Sequence, residues 1–471
     1  MVNLNCWKSA CVIFLLCVAI AVVSPAQTFT SLYSFDGTDG DGLYGSLVQG
    51  LDGNLYGTTF SGGANIFGGT AFKITRKGEL TTIYNFCSEN KCLDGTEPYA
   101  GLVLATDGNF YGTTEAGGNS SSGGTLFRMT TAGSLTTLSL PGNPQAALIQ
   151  GTDGDLYGTT FRGGGGLGTV FKVSPGGVLM TLHSFDGTDG AYPGASLTQG
   201  IDGNLYGTTT TGGNSSCSCD GTIFKITPTG TFTTLYDFSV SDGSYPYDNL
   251  VEGANGEFYG TTRYGGAHSD GTVFSITSKG ILTTLYSFCA QTNCTDGANP
   301  FAGLVLATDG NFYGTTAAGG NPACNFGGGC GTIFKISPQG ALTTLHSFDG
   351  ADGSSPSGNL LQATDGKFYG TTFSGGSSSD GTIFSLSAGL FGFVKTLPGA
   401  GEVGAEVGIL GTNMANAKGV SFDGKSAKFK VISPSLLLAY VPPGATTGKV
   451  EVTFQPAHYI LYSNLPFFVL K

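Results

Sequence analysis

Apolar runs of four to seven residues, each closed by glycine or aspartate, follow one another down this chain in a fixed order. One stretch shows the order well: YAGLVLA, then DGN, then FYGTT, a Gly-rich segment, GTLFRMT, a turn at Gly133, and SLTTLSL. Runs of this length, rich in β-branched and aromatic residues and bounded by turn chemistry, predict four short strands, here called A to D. The string LYGTT or FYGTT marks seven copies, with its tyrosine at Tyr56, Tyr111, Tyr157, Tyr206, Tyr259, Tyr313 and Tyr369. Asp-Gly separates A from B in six copies and Asn255-Gly256 in the fifth, which is two-residue hairpin chemistry. Four strands in roughly 50 residues, seven times over, predict an all-β chain built as a seven-bladed β-propeller with four-stranded blades. A β-solenoid is the rival reading, but its coils need fewer residues. The D motif also stands ahead of the first A strand, as Leu32-Tyr33-Ser34-Phe35, and none follows the last C strand at 381–386. Residues 28–35 are therefore expected to supply the outer strand of blade seven, closing the ring and covering an open edge.

From about Phe391 the rhythm changes. Six or seven short strands in about 80 residues, with Gly/Pro turns, predict an Ig-like β-sandwich. The expected domains are thus a leader at 1–26, a propeller at 28–388 and a second domain at 391–471. The leader is read from Lys8, the apolar stretch Ala10 to Val23, and the small residues Ser24 and Ala26 before Gln27. That is a secretory signal, too short for a comfortable membrane span. It predicts a secreted or cell-surface protein with no span after cleavage.

The unit DGN-LYGTT…GG…GT-FKI…G-LTTLYSF resembles the GloVer tandem repeat of exported bacterial (choice-of-anchor) proteins, over residues 28 to about 388. The resemblance implies export and no assigned biochemical role. The third copy departs from it, since Leu140-Pro141-Gly142-Asn143-Pro144 replaces the usual aspartate-bearing loop. Residues 391–471 resemble an IPT/TIG domain, in Gly411-Thr412-Asn413, Val420-Ser421-Phe422 and Val441-Pro442-Pro443-Gly444. Some relatives of that domain bind DNA, but no basic stripe is present here. That resemblance therefore implies a spacer or protein-docking module.

Composition narrows the function classes. The net charge is −12, which argues against nucleic acid as a partner. Hydrophobic residues are 40% of the chain, enough for a core, so disorder is excluded. Beyond the leader, eight cysteines fall in four close pairs: Cys87/Cys92, Cys217/Cys219, Cys289/Cys294 and Cys324/Cys330. In an exported chain such pairs read as disulfides, and they lack typical zinc spacing. The Cys217/Cys219 bridge would be strained.

Candidate chemistry lies on one face. The A–B and C–D turns are short and uniform, whereas the B–C and D–A loops vary and carry every cysteine pair. Within them, the residues after each TT break the repeat at Glu115, Arg162, Arg263 and Tyr264, and His268 follows in the same loop. Polar groups beside aromatics suit recognition of an extracellular polysaccharide or protein. His183 and His346 fill a slot held elsewhere by tyrosine, which points to a structural role. The aspartate pairs Asp36/Asp39, Asp186/Asp189 and Asp349/Asp352 could hold calcium or form ordinary turns; no other cofactor is expected. The residues favour a non-catalytic binding or scaffold protein. A polysaccharide lyase or hydrolase using propeller carboxylates and His268 is the alternative, and a purely structural surface protein a third.

Overall fold

The structure, a computed structural model, describes residues 27–119, 123–213, 220–454 and 459–470. Among them the chain is all-β, and its helical pieces are four three-residue 3-10 turns. Six four-stranded antiparallel sheets follow one another between residues 48 and 347, each in the order A–B–C–D. In unit five these strands are Val251–Glu252, Phe258–Thr262, Thr272–Ile276 and Leu282–Ser287. A seventh sheet takes Leu361–Gln362, Phe368–Ser374 and Thr382–Ser387 from the seventh unit. Its outer strand comes from the other end of the chain: Thr28–Ser34 runs antiparallel to Thr382–Ser387, with Thr28 opposite Ser387 and Ser34 opposite Thr382.

The repeated B-strand letters each have a physical task. The tyrosine hydroxyl donates to the hairpin aspartate below it, as in Tyr157 to Asp153 (2.6 Å) and Tyr369 to Asp365 (2.8 Å). In unit five, where the acid is replaced, the Asn255 amide donates to Tyr259 Oη at 2.9 Å. The ring itself stacks on the first aromatic of the next B strand, with centroids 4.0 Å apart for Tyr206 and Phe258 and 4.1 Å for Tyr259 and Phe312. The glycine leaves room for the C-strand phenylalanine: a Cβ on Gly207 would lie 2.5 Å from Phe224 Cζ, and the other six glycines face the same kind of contact.

The two threonines divide the remaining work. The second is buried against the C-strand threonine, as in Thr59 and Thr70 (2.9 Å) or Thr262 and Thr272 (2.8 Å). The first reaches into the next unit, where its hydroxyl donates to a backbone carbonyl just before strand A. The pairs are Thr58 with Ala100 (2.8 Å), Thr113 with Ala146 (3.3 Å), Thr159 with Ala195 (3.1 Å), Thr208 with Pro246 (3.3 Å) and Thr261 with Ala302 (3.1 Å). Thr371 of the last unit makes the same bond to Gly45 of the first, at 3.3 Å. The first and last units also meet through Ser357 Oγ donating to Leu43 O (2.8 Å) and an Arg76–Asp365 ion pair at 3.2 Å.

Residues beyond 391 form two further four-stranded sheets and a short parallel pair, around a core that includes Val407, Ile409, Phe422, Leu437, Val450 and Phe467. This segment rests on the A–B turn side of the repeats. Ser435 Oγ donates to Leu51 O at 2.8 Å, the Phe393 amide donates to Thr364 O at 3.1 Å, and Leu397 packs against the cluster around Tyr56 and Phe110. Among the described residues no helix is long and apolar enough to cross a membrane.

The threonine link has an internal control. Among the described residues Thr315 Oγ1 is buried without a partner, whereas Thr371 is bonded. Thr371→Val should lower stability by about 1 kcal/mol, while Thr315→Val should be neutral or mildly stabilising, because a net buried hydrogen bond contributes about that much whereas a buried hydroxyl without a partner costs stability. Thermal unfolding of the two variants side by side checks this; equal losses would refute the assignment.

Candidate functional site

Each D–A loop ends in a short frame before strand A: proline, three residues, then leucine, with Leu43 in the proline place in unit one. Pro98, Pro193, Pro246, Pro300 and Pro356 lie against the glycine that opens the C strand of the preceding unit. A Cβ on Gly168 would come within 2.5 Å of Pro193 Cδ and one on Gly271 within 2.6 Å of Pro300 Cδ; both glycines hold positive φ, which glycine alone tolerates readily. The threonine carbonyl links secure the same segment from its other side. All seven frames are thereby brought to one cavity of about 50 Å³ at the centre of the repeats.

The residue after the proline differs from unit to unit, and four of the seven are aromatic: Tyr44, Tyr99, Tyr247 and Phe301. Tyr44 stacks on Tyr99 with centroids 4.2 Å apart, and Tyr247 packs at 4.4 Å on Phe301. The hydroxyls of Tyr99 and Tyr247 meet at 3.2 Å, although 148 residues separate them in sequence. Tyr247 Oη donates to Gln145 Oε1 at 3.2 Å, and Gln145 Nε2 donates to Glu115 Oε1 at 2.8 Å. Phe60 and Phe373, each directly after its TT, close on Tyr44 at 5.5 and 4.6 Å.

Below the aromatics the lining turns polar, with Ser46, Ser196, Asp248 and Asn359. Asp248 Oδ1 accepts from the Asn249 amide at 2.6 Å and from Asn359 Nδ2 at 3.2 Å. Asn359 Oδ1 in turn accepts from the Gly303 amide at 2.6 Å. No cation pairs with Asp248 among the described residues. The surface it keeps faces the cavity, and burial pushes its carboxyl from 3.8 up to about 6, against the pull of the backbone and Asn359 donors. Burial also raises Tyr44, Tyr99 and Tyr247; the Glu115 charge adds to this at all three, and Arg263 opposes it at Tyr44 and Tyr247.

Of the residues singled out in the sequence, the structure brings Glu115 and Arg263 to this mouth. The Arg263 guanidinium lies 5.0 Å from the Phe301 ring and 5.0 Å from the Tyr264 ring, and its Nε is buried without an acceptor among the described residues. Tyr264 is partly exposed beside Tyr245. Arg162 stands apart, 5.9 Å from the Tyr192 ring, and His268 is an exposed loop residue that acts electrostatically on Asp270. Tyr44, Tyr99, Gln145, Tyr247, Asp248 and Phe301 carry the pocket and escaped the sequence reading. A signal for them exists: aligned on the Pro-x-x-x-Leu frame, Asp248 stands where the other six units have only Gly or Ala.

The aspartate pairs have defined local tasks. Asp36 Oδ1 accepts from the Thr38 amide and hydroxyl at 3.0 and 2.6 Å, and Asp186 does the same with Thr188 at 2.9 and 2.7 Å. Asp349 accepts from the Ala351 amide at 2.9 Å. The second member of each pair receives the D-strand side chain: Tyr33 donates to Asp39, while His183 lies 2.7 Å from Asp189 and His346 2.8 Å from Asp352. The two histidines thus make the contact that Tyr84, Tyr236 and Tyr286 make to Asp94, Asp242 and Asp296 in other units. Cys87–Cys92, Cys289–Cys294 and Cys324–Cys330 are disulfides; Cys217, Cys219 and His458 lie outside the described residues. Asp270 comes close to Cys289 and Cys294, but that disulfide offers no thiolate to a metal.

The raised Asp248 carboxyl has a consequence for stability. Its folded-state value lies above the unfolded one, so its contribution is present at acid pH and is lost as pH rises through about 6. Asp248→Asn should therefore stabilise the protein at pH 8, by up to about 3 kcal/mol, and change little at pH 4. Thermal melts at the two pH values measure this, and a larger gain at pH 4 would contradict it.

Comparisons with known proteins place the repeats. No curated protein is similar in sequence. Among solved structures, an auxiliary nutrient binding protein from Bacteroides thetaiotaomicron shares 13% identity over 77% of this chain and 76% of its own, with a TM-score of 0.42. A functionally unknown protein from Desulfotomaculum acetoxidans shares 13% over 68% of this chain and 93% of its own, at 0.41. A gluconolactonase from Xanthomonas campestris shares 14% over 55% and 78%, at 0.34. The Gloeobacter/Verrucomicrobia repeat matches at residues 19–141, 139–324 and 220–429. With the repeat pattern matched across most of its length, the chain belongs to the Gloeobacter/Verrucomicrobia repeat family.

Proposed function

We propose that this protein is an exported, non-catalytic binding or scaffold protein whose central mouth contacts an extracellular polymer or protein. In this reading residues 1–26 are a signal peptide, 28–388 a seven-bladed β-propeller closed by the N-terminal strand, and 391–471 an Ig-like IPT/TIG domain. The mature protein is secreted or held at the cell surface. The observation that carries the reading is the division of labour within the repeat. Residues that recur in nearly every unit hold the frame, whereas those that vary most, including Tyr44, Glu115, Tyr247, Arg263 and Phe301, gather at one mouth. Rigid scaffolds that present variable loop residues at one place are built for recognition. Aromatic faces with one acid and one base at the rim offer both stacking area and orientation. Disulfide-braced loops lie on the same side as the mouth, and the C-terminal segment rests on the other.

A pull-down on insoluble polysaccharides and cell-wall material tests this. The wild-type protein should be retained on at least one of them, and the Glu115→Gln/Arg263→Gln double variant should bind it about tenfold more weakly, or about 1.4 kcal/mol. Equal retention of the variant would remove the mouth from the binding surface.

A further inference from the structure

The rim residues leave the base of the pocket unexplained. Asp248 is out of pattern: its frame position is Gly45, Ala100, Ala146, Ala195, Ala302 or Gly358 in the other units. A carboxylate placed off bulk water without a counter-charge is costly, and the nearby amides satisfy only part of it. The Asn249 amide and Asn359 Nδ2 both donate to the same oxygen, Oδ1. The Gly303 amide also pulls on the carboxylate, so every partner it has among the described residues is neutral and its charge is left for an occupant of the cavity that it lines.

We infer that the central pocket receives a protonated primary amine, with its ammonium group on Asp248 and its short alkyl stem between the tyrosines of the mouth. This rests on the reading of the mouth as a binding surface and names the chemistry it selects. Two features point to an ammonium rather than a metal ion. The Asn249 and Asn359 amide oxygens already accept hydrogen bonds, from Asn359 Nδ2 at 2.5 Å and from the Gly303 amide at 2.6 Å. A hard metal ion, which wants six or more oxygens, would therefore find few. The wall above the carboxylate is aromatic, and aromatic rings attract organic cations. The field in the pocket has the right sign, since Glu115 outweighs Arg263 at Tyr44 and Tyr247. Size agrees as well. One water needs roughly 10–15 Å³, so a cavity of about 50 Å³ takes a chain of about four heavy atoms.

Isothermal titration of the whole protein at pH 8 with n-propylammonium tests the inference, with n-propanol as the neutral isostere and calcium chloride as a metal control. Saturable binding of the amine, with binding of n-propanol and calcium at least about tenfold weaker, is the expected result. Asp248→Asn, which keeps an acceptor for the two donors, should weaken amine binding by at least about tenfold, or about 1.4 kcal/mol. Asp248→Ala should do the same while matching the alanine found at this position in four other units. Equal binding of n-propanol, calcium binding that depends on Asp248, or amine affinity unchanged in both variants would overturn it. If the amine fails to bind while the Glu115/Arg263 variant still loses polymer retention, the amine site falls and the rim reading stands.

Discussion

A buried threonine hydroxyl has to find an acceptor, and in this fold the acceptor belongs to the neighbouring unit. The first threonine of each LYGTT or FYGTT string lies in a strand whose flanks are packed with Phe, Leu and Tyr, so water cannot serve it. The carbonyl it reaches lies in the segment that enters the next A strand. That single bond fixes how far apart successive units stand and where each segment is held. Made again between Thr371 and Gly45, it joins the two ends of the repeat. Thr315, between units six and seven, has no such partner among the described residues. There the Gly303 amide is held instead by Asn359 Oδ1, so a side-chain amide ties the same two units from within the pocket.

Much of this was legible in the sequence. The Asp-Gly hairpins, the four strand types and the stray Leu32-Tyr33-Ser34-Phe35 motif are local signals, and each corresponds to a strand or turn in the structure. The tyrosine-to-histidine exchange at His183 and His346 could also be read, because both side chains can bond an aspartate from the same slot. The pocket was harder to see. Tyr99 and Tyr247 meet only because their frames and the two between them in sequence are turned toward the same centre, and no local pattern encodes that convergence. Asp248 was visible in principle, because the Pro-x-x-x-Leu frame stands at a fixed distance before every LYGTT or FYGTT string and alignment sets Asp248 against Gly or Ala, but a single departure in a loop gives no sign by itself that it faces a cavity.

The same reasoning explains why the aspartate-rich D–A loops drew attention in the sequence. Two carboxylates three residues apart suggest a cation or a turn, and the folded loop gives each carboxylate a separate protein neighbour. The first caps a turn through its own backbone, and the second receives a Tyr or His from strand D. Asp-x-x-Asp spacing alone does not distinguish these outcomes.

A repeat that meets at a centre can acquire chemistry one residue at a time. Each unit contributes one frame, and in most units the bonds that hold it run through a backbone carbonyl and the proline, not through the side chains of the three residues between proline and leucine. A tyrosine, a glutamine or an aspartate can therefore stand there without disturbing the unit that carries it. Asp248 shows how far this goes: a buried carboxylate stands where the other units have glycine or alanine, and the Thr208 hydroxyl still reaches the same frame, shared between Pro246 O at 3.3 Å and Asp248 O at 3.5 Å. Stability is secured by what the units share, and so what they do not share is available for recognition.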